Sequence, residues 1–196
     1  MTVMKYRVRE ANLSDTSKLH QLVNSAYRGD SSKQGWTTEA DILGGQRIDE
    51  ARLTEILKDP KQTILCLIAD RNTDAQIGSE DILGCVCLEK TEDERGLGCY
   101  LGMLTINPAA QAVGFGKILL SESEAFAQSW GAKFLEISVI QVRTELIRWY
   151  ERRGFQATGA VEPFPYGDAR FGLPKRDDLH FVMFAKPLVE REMNEL

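Results

Sequence analysis

The chain has 196 residues, 43% hydrophobic and 27% charged, which allows one domain with a real core and is ordinary for a soluble globular protein. A formal net charge of −5 argues against nonspecific nucleic-acid binding, which needs a basic footprint. There is no run of about 18 apolar residues to span a membrane, and the opening MTVMKYRVRE lacks the apolar core of a secretory signal, so the expectation is a cytoplasmic protein.

Residues 6–9 alternate apolar and charged and predict a first strand. NLSD at 12–15 offers helix caps, and Leu19, Leu22, Val23 and Ala26 then recur at helical spacing. Residues 28–45 are loop-like, rich in Gly, Ser and Thr, and hold Trp36, a large aromatic that suits either a substrate wall or a local plug. A short helix is expected over 49–58, stopped by Pro60. TILCLIA (63–69) and ILGCVCL (82–88) read as apolar strands joined by a polar, turn-forming link at 70–81, hence a hairpin. Residues 99–106 give another strand, followed by a helix to about Trp130. FLEISV (134–139) is a strand, 145–153 a helix ended by Gly154 as a left-handed cap, and 155–161 a further strand. A Pro/Gly-rich loop at 162–178 leads into a last strand, 180–185. Strands that pair as hairpins early and alternate with helices late predict an α/β fold, one mixed sheet with helices on its faces. There is no repeat or interdomain linker, so a single domain over 1–196 is expected.

The four cysteines, Cys66, Cys85, Cys87 and Cys99, all lie in apolar strand text without a C-x-x-C pair, and only two histidines accompany them. Buried reduced thiols are expected, and no metal site. Cys99 has no sequence-visible histidine partner to make it a nucleophile.

The most informative stretch is QAVGFGKILL at 111–120, directly after the strand end LTINP. A strand, a turn with two glycines and a helix start make a phosphate cradle: the first-turn amides lack intrahelical acceptors and the helix dipole favours an anion. A Walker loop would need Ser or Thr where Ile118 stands, and a dinucleotide fingerprint would need glycine where Leu119 stands, so both fail. The pattern Q-x-x-G-x-G instead resembles the acyl-CoA loop of the GCN5-related N-acetyltransferases (GNAT). Ala112 stands where many members carry glycine, outside the two glycines the pattern requires. The later phrase Tyr150-Glu151-Arg152-Arg153-Gly154-Phe155, one helix and one strand further on, resembles the family's Tyr-Glu-x-x-Gly-Phe. The resemblance covers residues 98–160 through motifs and the remainder through element order.

This resemblance implies a mostly antiparallel, twisted sheet that splays between two neighbouring strands, and direct transfer of an acetyl group from acetyl-CoA to a primary amine. The acceptor would be a small-molecule amine or a peptide amine, with no nucleic acid, membrane or metal involved, and a homodimer is compatible. The cofactor side would be Met103, Leu104, Thr105 and Ile106 of the splayed strand, then Gln111, Ala112, Val113, Gly114, Phe115, Gly116 and Lys117 of the loop. Gly102 and the Gly96-x-Gly98 pair are candidates for a bulge. Arg143 stands where the family often has Asn; it could reach a phosphate or pair with Glu145 or Glu136. Tyr150 is the candidate general acid, against a purely structural reading beside Trp149. Glu136 is the candidate base, with Glu89 as a second carboxylate able to relay a proton through water; either could equally be a solvated strand-end group. The acceptor would lie between residues 27–47, with Trp36, and 162–178, with Phe164, Tyr166 and Phe171. The alternative function is an acyl-CoA sensor or regulatory module of the same fold without turnover.

Overall fold

The computed structural model describes residues 6–69, 81–111 and 113–189. Its strands are β1 (Tyr6–Glu10), β2 (Leu43–Gly44), β3 (Gln62–Ala69), β4 (Ile82–Asp93), β5 (Gly96–Ile106), β6 (Phe134–Ile140), β7 (Gln156–Pro163), β8 (Leu173–Pro174) and β9 (His180–Pro187). Its α-helices are α1 (Thr16–Tyr27), α2 (Gly29–Ser32), α3 (Glu50–Lys58), α4 (Phe115–Ser129) and α5 (Thr144–Glu151). Seven strands form one sheet in the order β1-β3-β4-β5-β6-β9-β7, antiparallel throughout except for the parallel β5–β6 pair. β3 and β4 pair as the expected hairpin, while residues 70–80 of the link lie outside the described residues. The strand pairing continues past the apolar text on both sides of the β4–β5 turn, where Gly96 takes φ +101.

The continuous apolar strands follow from burial on both faces, which removes the alternation expected of a half-exposed strand. In β3, Leu65 and Leu67 pack toward α4, whereas Ile64, Cys66 and Ile68 pack toward α1 and α3. In β4, Val86 and Leu88 take the first side and Cys85 and Cys87 the second. All four cysteines are free and buried, and burial pushes the Cys87 and Cys99 thiols up to about 12, so they are packing groups and not thiolates.

β5 breaks this alternation. Cys99 and Leu101 face the α4 core, Met103 faces the α1–α3 core, and Leu104 and Ile106 face α4 again. A period of two cannot do that without one extra residue. The pairing shows it: Cys87 sits opposite Gly102 and Cys85 opposite Thr105, so three steps of β5 span two of β4. Met103 absorbs the insertion with φ +54, the one non-glycine positive φ among the described residues. Of the glycines considered, Gly102 adjoins the bulge, Gly96 serves the hairpin turn, and Gly98 lies against the Phe134 ring. β6 pairs with β5 only at Cys99–Leu135 and Tyr100–Glu136, below the bulge. Above it the two strands part.

Two pieces of structure were not foreseen. β2 and β8 pair, joining the loop after α1 to the loop after β7. Phe164 then packs with Leu43, Ile140 and Leu179 in a third, smaller core.

Gly84 is packed tightly against backbone near the splay: a Cβ there would sit 2.7 Å from the Thr105 carbonyl oxygen, 2.6 Å from Ile106 Cδ1 and 3.0 Å from Leu119 Cδ1. Gly84→Ala is expected to destabilise the fold by about 1–3 kcal/mol through overpacking. Thermal melting checks this, and an unchanged melting temperature would contradict the packing described.

Candidate active site

The splay opens a cleft of about 290 Å³ between β5, the α4 N-terminus and α5. The Asn107 amide donates to the Leu83 carbonyl of the neighbouring strand at 2.8 Å, so by alternation the amides of Leu104 and Ile106 point the other way, toward the gap. Their carbonyls do too: Leu104 accepts from the Tyr27 hydroxyl at 2.9 Å, and Ile106 accepts from Gln111 Nε2 at 3.2 Å. Gln111 Oε1 in turn accepts from the Trp36 amide at 2.9 Å, tying the loop after α1 to the mouth of the cleft.

Gly114 is the N-cap of α4 with φ +94, a conformation that L side chains rarely adopt, and a Cβ built on it meets nothing within 4 Å. Conformation and open space, not crowding by protein, thus set glycine here. Gly116 has a different reason: its Cβ would press on the Trp149 ring at 3.3 Å. The α4 backbone ladder begins with the Lys117 and Ile118 amides bonding the Gly114 carbonyl, which leaves the preceding first-turn donors for another acceptor. Lys117 lines the same cleft.

Most of the expected cofactor residues therefore converge: Leu104, Thr105, Ile106, Gln111, Gly114, Phe115, Gly116, Lys117 and Arg143 line the cleft, together with the candidate acid Tyr150. Val113 projects outward, 65% exposed, and Ala112 lies outside the described residues. The bulge turns Met103 to the opposite side of the strand, where it lines a second cavity. Trp36 lines the first cleft and stacks on Trp149, so it is a wall on the cofactor side. Phe164 and Tyr166 are not brought to either cavity. Phe164 is buried in the small core, and the Tyr166 hydroxyl donates to the Arg176 carbonyl and accepts from the Leu179 amide, fastening its own loop. Phe171 does line the second cavity.

Tyr150 is buried between Trp149 and Phe155, edge-on to both, with its ring forming part of the cleft wall. Burial drives its pKa far above the ordinary tyrosine value, so it keeps its proton at any physiological pH and is available as a donor. Glu136 is held by Arg95 from the β4–β5 turn and does not line the cleft. It belongs to a row across the sheet, Glu89–Tyr100–Glu136, at the level where β5 and β6 separate. Glu89, at the other end of that row, lines the second cavity.

Arg143 pairs with neither of its expected partners. Its guanidinium bonds Glu39 at 2.6 Å and Thr37 Oγ1 at 2.8 Å, and lies 5.8 Å from the Tyr27 ring centre. Glu39 is shared with Arg28, so one buried carboxylate stands between two buried guanidinium groups. Burial raises the Glu39 pKa, but Arg143 and Arg28 outweigh it, and the carboxyl titrates below the ordinary range. Nothing in the local sequence marks Glu39, Arg28 or Tyr27. They are single polar residues that acquire their role from partners distant in sequence, 104 positions away for Glu39 and Arg143 and 143 for Arg28 and the Phe171 carbonyl.

Glu39→Gln leaves two buried cations with only a neutral partner and is expected to cost about 3–5 kcal/mol. The folded pKa of Glu39 lies below the unfolded one, so its contribution is present above the usual glutamate value of 4.5 and fades as pH falls through the lower folded value. The melting temperature of the wild type should drop in that acid range, and the variant should be less stable at neutral pH with a flatter profile. A variant as stable as the wild type at pH 7 would contradict the pairing.

Known proteins agree with this geometry. The sequence model of the Acetyltransferase (GNAT) family matches residues 18–155, more than half of the chain. Among solved structures, NAA60 from Arabidopsis thaliana in complex with acetyl-CoA superposes with a TM-score of 0.67 at 17% identity, covering 94% of this chain and 99% of that one. The ribosomal-protein-S18-alanine N-acetyltransferase from Escherichia coli gives 0.63 at 14% identity, covering 98% of this chain and 99% of that one. An N-acetyltransferase from Staphylococcus aureus Mu50 gives 0.67 at 12% identity, covering 94% of this chain and 98% of that one. At these identities the likeness is one of fold. No curated protein sequence matches the chain. The family match covering both the glycine turn and the Tyr150 helix, and the splayed sheet between them, make this chain a member of the GNAT acetyltransferase family.

Proposed function

We propose that the protein transfers an acetyl group from acetyl-CoA directly to a primary amine. The observation that carries this reading is the continuity of the cleft, from the open amides at the α4 N-terminus, along the unpaired edge of β5, to Tyr150. The fit to acetyl-CoA rests on three local features. Gly114 leaves room for a pyrophosphate against the backbone, in the field of the helix dipole. Lys117, Arg152 and Arg153 line an adjoining hollow, where Lys186 is paired with Glu124, and add positive potential in an otherwise acidic protein. The Leu104 and Ile106 amides offer donors to an extended amide-bearing arm, in the manner of an added strand. The acetyl-CoA complex of NAA60 supports the assignment by likeness.

Acetyl-CoA supplies an activated acetyl group on sulfur. The chain's own residues fix where that group sits and what happens to protons around it. β5 holds the arm still, which gives proximity. Tyr150, kept protonated by burial, donates to the sulfur as it takes up negative charge. Tyr27 is already spent on the Leu104 carbonyl, so it orients the strand edge and is not free as an acid. The amine needs to lose a proton before it attacks. Glu89, on the acceptor side of the sheet, is better placed to take it through water than Glu136, whose carboxylate is occupied by Arg95.

Binding is tested by thermal shift. Acetyl-CoA or CoA at about a hundred times its dissociation constant should add roughly 2.7 kcal/mol of stability, whereas ATP and NADH should add none. A shift with ATP or NADH and not with acetyl-CoA would assign the loop to another phosphate. Chemistry is tested by Tyr150→Phe, which should lower kcat by about 10²–10⁴-fold, read as thiol release, with acetyl-CoA binding retained. Undiminished turnover would remove Tyr150 as the acid.

A further inference from the structure

Across β5 from the cofactor cleft lies a second cavity, about 580 Å³, that no part of the cofactor reading uses. Its floor is Met103 of the bulge, so it opens on the same strand segment from the opposite face. Its charged lining sorts by partner. Arg52 pairs with Glu55 one helical turn on, an exposed i,i+3 pair worth little. Arg170 pairs with Asp168 in its own turn. Asp49 caps α3 through the Arg52 amide. Arg47 and Glu89 remain: among the described residues neither has a salt-bridge partner, although both line the cavity.

Arg47 is also built into place. Asn24 Oδ1 accepts from the Arg47 amide at 2.6 Å, and Asn24 Nδ2 donates to the Ile48 carbonyl at 2.8 Å. The guanidinium carbon lies 5.5 Å from the centre of the Tyr27 ring. Tyr27 bonds the Leu104 carbonyl and forms part of the cofactor cleft, so Arg47 stands at the wall the two cavities share. Glu89 lines the same cavity from β4, opposite Tyr100 in the strand register at the base of the splay.

The geometry points to an acceptor that carries a carboxylate near its primary amine, the carboxylate held by Arg47 and the ammonium drawn to Glu89. This rests on the acetyl-transfer reading and narrows its substrate class. The Arg47 fork matches a carboxylate in two parallel hydrogen bonds, which a neutral amide or a second cation cannot replace. A polyamine would set a cation against Arg47. A free amino acid and a peptide with an acidic first residue offer the same chemistry.

The test is a thiol-release assay on paired amines: glycine, β-alanine and L-phenylalanine, each against its primary amide, with putrescine and short peptides beginning in Asp or Lys. Acetyl-CoA binding is read separately by thermal shift on the same preparation. At least one carboxylate-bearing amine should exceed its uncharged or cationic counterpart about tenfold or more in kcat/KM. Arg47→Gln should erase that ratio, mainly through KM, while the acetyl-CoA shift persists. Arg47→Lys, which keeps charge without the fork, serves if the glutamine variant does not fold and should narrow the ratio. A preference for the Asp peptide over every free amino acid would identify a peptide end as the source. Equal or better use of the amides, putrescine or the Lys peptide would overturn the inference with acetyl transfer intact. So would bound acetyl-CoA with no turnover of any carboxylate-bearing member. Absence of an acetyl-CoA shift would instead overturn the parent reading.

Discussion

One extra residue in β5 governs the architecture. Met103 sits in a left-handed conformation that a side chain adopts at a cost of order 1–3 kcal/mol, held there because the strands on one side and α1 on the other fix its neighbours. The insertion turns Met103 out of the α4 core and returns Leu104 and Ile106 to it, so one strand serves two cavities on opposite faces. It also bends β5 from β6 after two matched residue pairs, leaving backbone donors unpaired at the centre of the molecule. An unpaired strand edge inside a sheet is unfavourable unless something pairs with it. A ligand with its own amides and carbonyls is the natural complement.

The loop after α1 is held by charge as well as by packing. Glu39 joins Arg28, at the end of α1, to Arg143, at the start of α5, across the cleft mouth. β2 and β8 then bind that loop to the one after β7. The consequence is that the walls of both cavities belong to one connected unit. Gln111 extends it to the glycine turn, bonding the Trp36 amide with one end and the Ile106 carbonyl with the other.

The parts that sequence made legible are those with a local cause. Double-sided burial left apolar strands at 63–69 and 82–88. The left-handed cap left Gly154, at φ +87, and the helix start at the phosphate turn left Gly114. Tyr150 was legible only through the resemblance of Tyr150–Phe155 to the family's Tyr-Glu-x-x-Gly-Phe phrase. What was not legible has long-range causes. Gly102 hinted at the bulge, but methionine carries no signal for a left-handed backbone, and parity between the two cores appears only once both are assembled. Phe164 and Tyr166 looked like acceptor walls because aromatics in a polar loop fit that role, yet a loop of that length needs its own small core and uses them for it. Arg143 was placed near the site without its partner, because Glu39 stands in text that gives no pattern.

Tyr27 lines the first cavity and lies beside Arg47 of the second, so the electrostatics there bears on both. Both Arg47 and Arg143 lie within 6 Å of its ring centre. Its hydroxyl is committed to the Leu104 carbonyl, so its own pKa, raised first by burial, keeps it neutral. A neutral, cation-flanked ring is a wall that excludes water from the strand edge while passing positive potential to each side. In the proposed reaction that potential would face, on the cleft side, the place where charge develops as sulfur departs. On the acceptor side it faces Arg47's cavity, where Glu89 is the opposing charge. The same field that favours an anionic anchor also disfavours a protonated amine near β5. In the proposed reaction it would push the amine toward the neutral form that attack requires, and Glu89, in the lining of the second cavity, would give the released proton a destination.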